Sequence, residues 1–294
     1  MIISYSSIIK NNRDFKKAKV FFFRSLLFYP LSLSWLKFID SVYKKHNLVH
    51  ASPEVASLLV RSYVGNNFSI GNRYALLKNH YNFLQQFFAT KLVRGLLSGN
   101  KFNISQIATK DSSICYLGIF AHDKFWREGG LTLYFANSDN SLISTLTFSF
   151  ALQNNEPIII IGGLQGGSSF TKADIIKITR GLGGLRPKHM LLECCYVIAN
   201  NFGISKIIGI SDDNHVFSYK KATFSKNYNV FWQEVGGTLL PDKNYLLLPH
   251  LPKRDFESVP QKKRKDWLIR HGHIDKLTSD IKFFLMQNTS HLSG

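Results

Sequence analysis

Arg180, Arg186 and Lys188 surround three glycines in the stretch Arg180-Gly-Leu-Gly-Gly-Leu-Arg-Pro-Lys188. Cationic side chains beside a backbone that glycine frees to take positive φ, or to approach a ligand closely, suit an anion site. Pro187 fits the first position of a helix, where its missing N–H costs nothing, and Gly203 fits that helix's end. The apolar run Pro157–Gly162 precedes the segment and Lys206–Ser211 follows it. Strand, glycine turn, helix and strand is an order that aims the unbonded N–H groups of a helix start at a phosphate. On that reading Arg180, Gly183, Gly184, Leu185, Arg186, Pro187 and Lys188 form the binding loop. A tight connection into a well-capped helix explains the same residues, and neither GxGxxG nor GxxxxGK[ST] is present.

The elements that must hold this loop are legible in outline. The first hundred residues read as helical. Ser52-Pro53-Glu54 carries a helix-start signature. Tyr74, Leu77, Tyr81, Leu84, Phe88, Leu92 and Leu96 form one helical stripe over residues 73–97, stopped by Gly99-Asn100. After about residue 110 the chain turns to strands: 114–120, then 131–136 and 142–152 as an antiparallel pair around the turn residues 137–141. The apolar strand 157–161 belongs in the middle of the sheet. Residues 246–249 predict a late strand and 257–270 a basic helix. This order predicts an α+β fold with a mixed sheet, not a repeating βαβ array. The expected organisation is an N-terminal helical, basic and apolar extension over residues 1–50 and one domain over 51–290.

The 294 residues are 45% hydrophobic and 19% charged, so a packed core is expected. The formal net charge of +18 favours anionic partners: nucleic acid, phospholipid headgroups, lipopolysaccharide or acidic cofactors. AT-rich coding, with its many Lys, Asn, Ile and Phe, accounts for such a charge equally well. Cys115, Cys194 and Cys195 form no CxxC pair, so neither a metal site nor a disulfide framework is expected, and a reducing cytoplasm is. Cys194 and Cys195 read as buried helical side chains. The segment Val20–Leu36 is interrupted by Arg24 and Pro30, so neither a signal peptide nor a membrane span is expected there. Its aromatic and basic residues fit a helix lying on an anionic membrane surface, or one docked on the domain.

Several further residues carry a family resemblance. They are Ile161-Gly-Gly-Leu-Gln-Gly166, Gly184-Leu-Arg-Pro-Lys188 with the helix after it, Gly209-Ile-Ser211, His215-Val216, Tyr228, Phe231-Trp-Gln-Glu234, Gly236-Gly237, Lys262-Lys-Arg264 and Arg270. Over roughly residues 50–275 the chain resembles the VirK/YbjX family of enterobacterial proteins, and its VirK branch most. The resemblance implies a role in virulence: envelope integrity, display of surface virulence factors and resistance to cationic antimicrobial peptides. More distantly, the order of elements is similar to the acetyltransferase (GNAT)-like fold, a mostly antiparallel sheet flanked by helices. There an Arg/Gln-x-x-Gly-x-Gly/Ala turn holds the pyrophosphate of acyl-CoA. Arg180 and Gly183 match its first half, and Leu185 departs from the last small position.

That likeness implies acyl transfer, with acyl-CoA or acyl-carrier protein as donor and a base near the acceptor. His215, on the polar loop Ser211–His215 after a strand, is the first candidate for the base. Asp212 and Asp213 either orient it or cap a turn. Glu193 and Glu234 are the other catalytic candidates. The competing reading is a non-enzymatic basic adaptor on the inner-membrane surface or, less favoured, on RNA, for which no RRM, KH or helix-turn-helix signature appears. Both readings place the protein in the cytoplasm, the second at the periphery of the inner membrane.

Overall fold

The computed structural model describes residues 12–121, 125–219, 227–248, 250–251 and 255–290. The first hundred residues are helical as their periodicity predicts: α1 spans Asn12–Leu27 and α2 Leu31–Lys45. The short α3, Pro53–Ala56, begins where Ser52 accepts the Val55 N–H. The single stripe over 73–97 is two helices, α4 at Ile70–Phe87 and α5 at Thr90–Leu97. Phe88 is extended between them and bridges to Thr289, while Ala89 N–H donates to Asn288 O at 2.7 Å. A local period cannot report a pairing with the far end of the chain, which overrides it here.

The strands are β1 at Phe102–Ala108, β2 at Ile114–Phe120, β3 at Leu131–Asn137, β4 at Leu142–Gln153, β5 at Glu156–Gly166, β6 at Lys206–Gly209, β7 at Thr238–Leu239 and β8 at Tyr245–Leu247. They form one sheet in the order β1-β2-β3-β4-β5-β6-β8-β7. Every neighbouring pair is antiparallel except β5 and β6. This is the mixed, mostly antiparallel sheet of an α+β fold. β3 and β4 are the expected hairpin, and β5 lies inside the sheet. The late strand is β8; Pro249, placed in it by the sequence, lies outside the described residues.

The crossover from β5 to β6 contains α6, Lys172–Gly181, then the glycine turn, then α7, Pro187–Asn201. Thr171 and Asp174 close α6 with a capping box, yet α6 buries none of its side chains. Ile175 and Ile178, one turn apart, lie half-buried against the core. Helix α8 follows at Tyr228–Glu234, and α9 runs from Gln261 to Asn288, well past the basic stretch. Helices α4, α7 and α9 pack against the sheet, and α9 also packs on α7. Phe148, Phe150, Leu192, Ile161 and Trp35 all join one core. Burying each such side chain is worth about 1.5–3 kcal/mol. Trp35 ties α2 to the body by donating to Ala56 O at 3.0 Å.

One irregularity lies between β4 and β5. Thr147 pairs with Gly163 and Phe148 with Ile161, so Gly162 is the extra residue of a bulge. β5 pairs with β6 only over 158–161. Past Ile161 the parallel strands part, and the freed side of β5 meets other chain segments.

Candidate functional site

The turn after α6 does not present the open amides its glycines suggest. Leu182 N–H donates to Ile178 O at 3.0 Å, Gly183 to Arg180 O at 3.1 Å, Gly184 to Thr179 O at 2.8 Å and Leu185 to Leu182 O at 3.3 Å. These bonds close the end of α6. Gly183 and Gly184 take φ of 66° and 83°, which glycine alone adopts without strain. A Cβ on Gly183 would stand 2.6 Å from the Asp266 carbonyl oxygen and 2.9 Å from the Arg270 nitrogen, both on α9. Leu185 and Pro187 are buried. The expectation that Gly183, Gly184 and Leu185 offer backbone donors to a phosphate gives way to a packing role, because carbonyls already hold those donors.

What the turn gathers is side chains. Arg186 forms an ion pair with Glu234 Oε1, and its Nη2 lies 2.9 Å from His189 Nε2. His189 Nε2 is 3.6 Å from the same carboxylate. The His189 ring sits in the first turn of α7 against the edge of Phe231, with centroids 5.0 Å apart. Burial first, then Arg186, Arg270 and Lys188, hold its imidazole down at about 4. Burial and Arg270 also lower the Arg186 guanidinium from its usual range. Three cations thus share one helix start with the Glu234 carboxylate, where the macrodipole already favours an anion. Arg186 and Glu234 keep 49% and 44% of their side-chain surface exposed, so solvent reaches the group. Arg180 is exposed at the end of α6. Glu193 is half-buried beside Cys194 and Tyr196, about 10 Å further along α7.

The low His189 value makes stability depend on pH. Its folded value near 4 lies below the unfolded value near 6.5, so between them the unfolded chain holds more protons. Stability should therefore rise with pH across that window, and fall as pH drops through it, by about 2–3 kcal/mol from this residue. Thermal melts of the wild type and His189→Gln at about pH 4 to 7 check this. The variant should lose most of the slope; a flat wild-type curve would contradict it.

His215 lies elsewhere and is wholly buried. Its Nδ1 accepts the Phe217 N–H at 3.2 Å, which places the proton of the neutral ring on Nε2. Nε2 lies 3.3 Å from Glu128 Oε1, a carboxylate that is itself 1% exposed. Gln165 Nε2 donates to the same carboxylate. Tyr228 stacks on His215 with centroids 5.1 Å apart, and its hydroxyl accepts the Leu164 N–H at 3.1 Å. The group fills the side of β5 exposed where β6 departs. Asp212 does not orient His215; it caps α8, accepting the N–H groups of Tyr228 and Asn229 at 2.9 and 3.2 Å. A general base must reach a substrate proton. Both His215 nitrogens face protein groups and its ring meets no solvent, so the first candidate for the base is here a buried structural side chain.

Helix α8 joins the two groups. Tyr228 at its start touches His215, and Glu234 at its end holds Arg186, about 9 Å away along the axis. The sequence alone does not single out Glu128, Gln165 or His189. The usable signal for Glu128 is the pair Gly162-Gly163: a Cβ on Gly163 would lie 2.0 Å from Glu128 Oε2. A core cavity lined by Phe88, Leu92, Phe148, Phe150, Ile198 and Leu285 includes neither group. The three cysteines are buried. Burial pushes Cys115 up to about 11 and raises Cys194 and Cys195 further, which disfavours the thiolate a nucleophile needs.

A family model described as "Protein of unknown function (DUF535)" matches residues 10–282. The "Uncharacterized protein YbjX" of Escherichia coli strain K12 is 23% identical over 91% of this chain and 82% of its own length. An "Uncharacterized protein" of Haemophilus influenzae is 26% identical over 76% of this chain and 75% of its own. Among solved structures, a "cAMP-binding acyltransferase from Mycobacterium smegmatis" superposes with a TM-score of 0.32 at 11% identity, over 62% of this chain and 56% of that one. So low a score carries no argument about activity.

Proposed function

The chain belongs to the DUF535 family, and we propose that it binds the phosphate-bearing end of an acyl donor at the start of α7. One observation carries this reading: Arg186, Lys188 and Arg270 crowd the buried His189, with the Glu234 carboxylate paired to Arg186. A phosphate or pyrophosphate would take the place of Glu234 on the Arg186 guanidinium, whose fork suits two such oxygens. The extended pantetheine arm puts the thioester far from Arg186, so Glu234 serves only in this exchange and takes no part in the chemical step, in which an acceptor amine or hydroxyl reacts. That acceptor attacks the thioester carbonyl, the carbon–sulfur bond breaks, and its proton passes to the departing thiolate. Acyl-CoA and acyl-carrier protein are donors of this class. The acceptor we propose is an envelope lipid or protein reached from the cytoplasm. The cellular outcome would be envelope integrity, display of surface virulence factors and resistance to cationic antimicrobial peptides.

Calorimetric titration with CoA and with pyrophosphate tests the binding step. Arg186→Ala and Arg270→Ala should each weaken both ligands by about tenfold or more, and Glu234→Gln should tighten them. Unchanged affinities in the two arginine variants would end this reading.

A further inference from the structure

Helix α1 touches the body along one narrow stripe. Phe21 is buried, Ser25 is half-buried, and Arg24 Nη1 donates to Val60 O at 3.3 Å. At helical spacing Phe22, Phe23, Leu26 and Leu27 fall away from that stripe. They are exposed at 53%, 68%, 57% and 75%, and Tyr29 just after the helix at 65%. Single exposed apolar side chains are ordinary, but five large ones in one short segment mark an interaction surface. The sequence of the same helix holds Arg13, Lys16, Lys17, Lys19 and Arg24 with Asp14 as its one acidic residue. Among the described residues, no helix is long and apolar enough to cross a membrane.

An exposed apolar face on a strongly cationic helix has the makeup of a segment that lies in the plane of an anionic bilayer. We infer that α1 docks this protein on an anionic phospholipid surface. Phe22, Phe23, Leu26 and Leu27 enter the boundary between headgroups and acyl chains, and the basic residues of the helix other than Arg24 meet lipid phosphates. A nucleic acid would engage the cations and leave the apolar side chains in water. A second copy of the chain would bring like charge against like charge. Only the bilayer satisfies both features.

Co-sedimentation of the full chain with vesicles tests this. Vesicles of phosphatidylcholine with added phosphatidylglycerol should bind the protein, pure phosphatidylcholine should not, and added salt should weaken binding. The double variant Phe23→Glu/Leu27→Glu changes two solvent-facing positions, so circular dichroism and melting temperature should stay as in the wild type. Its bound fraction should fall by about tenfold or more. A wild-type chain that stays in solution with phosphatidylglycerol vesicles overturns the inference. So does a double variant that binds as the wild type does. RNA binding, or a dimer abolished by the double variant, overturns it too when vesicle binding is missing.

Discussion

A chain carrying Gly162→Ala is expected to lose about 3 kcal/mol or more of stability. The added Cβ would stand 2.1 Å from the carbonyl oxygen of Glu128 and 3.0 Å from that of Val64. Both obstacles are backbone atoms, which cannot swing aside as a flexible side chain does. Gly162 is also the unpaired residue of the bulge, so relief would require moving β5 against β4. Gly166, on the same strand, has nothing within 4 Å of its hypothetical Cβ. Gly166→Ala should therefore change stability by no more than about 0.5 kcal/mol. Urea unfolding of the two variants makes the comparison. Coincident midpoints for Gly162→Ala and Gly166→Ala would refute the argument.

Removing the Glu128 carboxylate should be as damaging. Glu128→Leu leaves His215 Nε2–H and the Gln165 amide facing an apolar side chain in a site closed to water. Stranding a buried donor in this way costs about 1–3 kcal/mol for each of the two groups. Removing both partners avoids a stranded polar group, so Glu128→Leu/His215→Phe should recover much of the loss. Denaturation of the two single variants and the double variant yields the coupling between the positions. A coupling below about 0.5 kcal/mol would show that the 3.3 Å approach of these side chains is energetically empty.

Both expectations concern the place where β6 leaves β5. The gap there is occupied by Glu128, His215 and Tyr228, so it serves as a polar keystone of the fold. The cationic group at the start of α7 differs in kind. Arg186 and Glu234 remain half exposed, within reach of a ligand from solvent. Helix α8 spans both, fixing one end on a closed polar core and the other on an open ionic surface.

Much of the α+β plan is written locally. Runs rich in β-branched and aromatic residues mark β3 and β4, Ser52-Pro53 marks the start of α3, and Pro187 with Gly203 brackets α7. These signals depend on neighbours a few residues apart, which a sequence displays directly. The excess of positive charge and the basic, aromatic makeup of α1 are legible for the same reason. Tertiary contacts alone settled the rest. They divided α4 from α5, seated Gly183 against α9, buried His215, and brought Arg186, His189 and Glu234 together with Arg270. Each of those outcomes joins segments far apart in the chain, and whether a ring is buried or a charge is paired depends on what another segment brings against it.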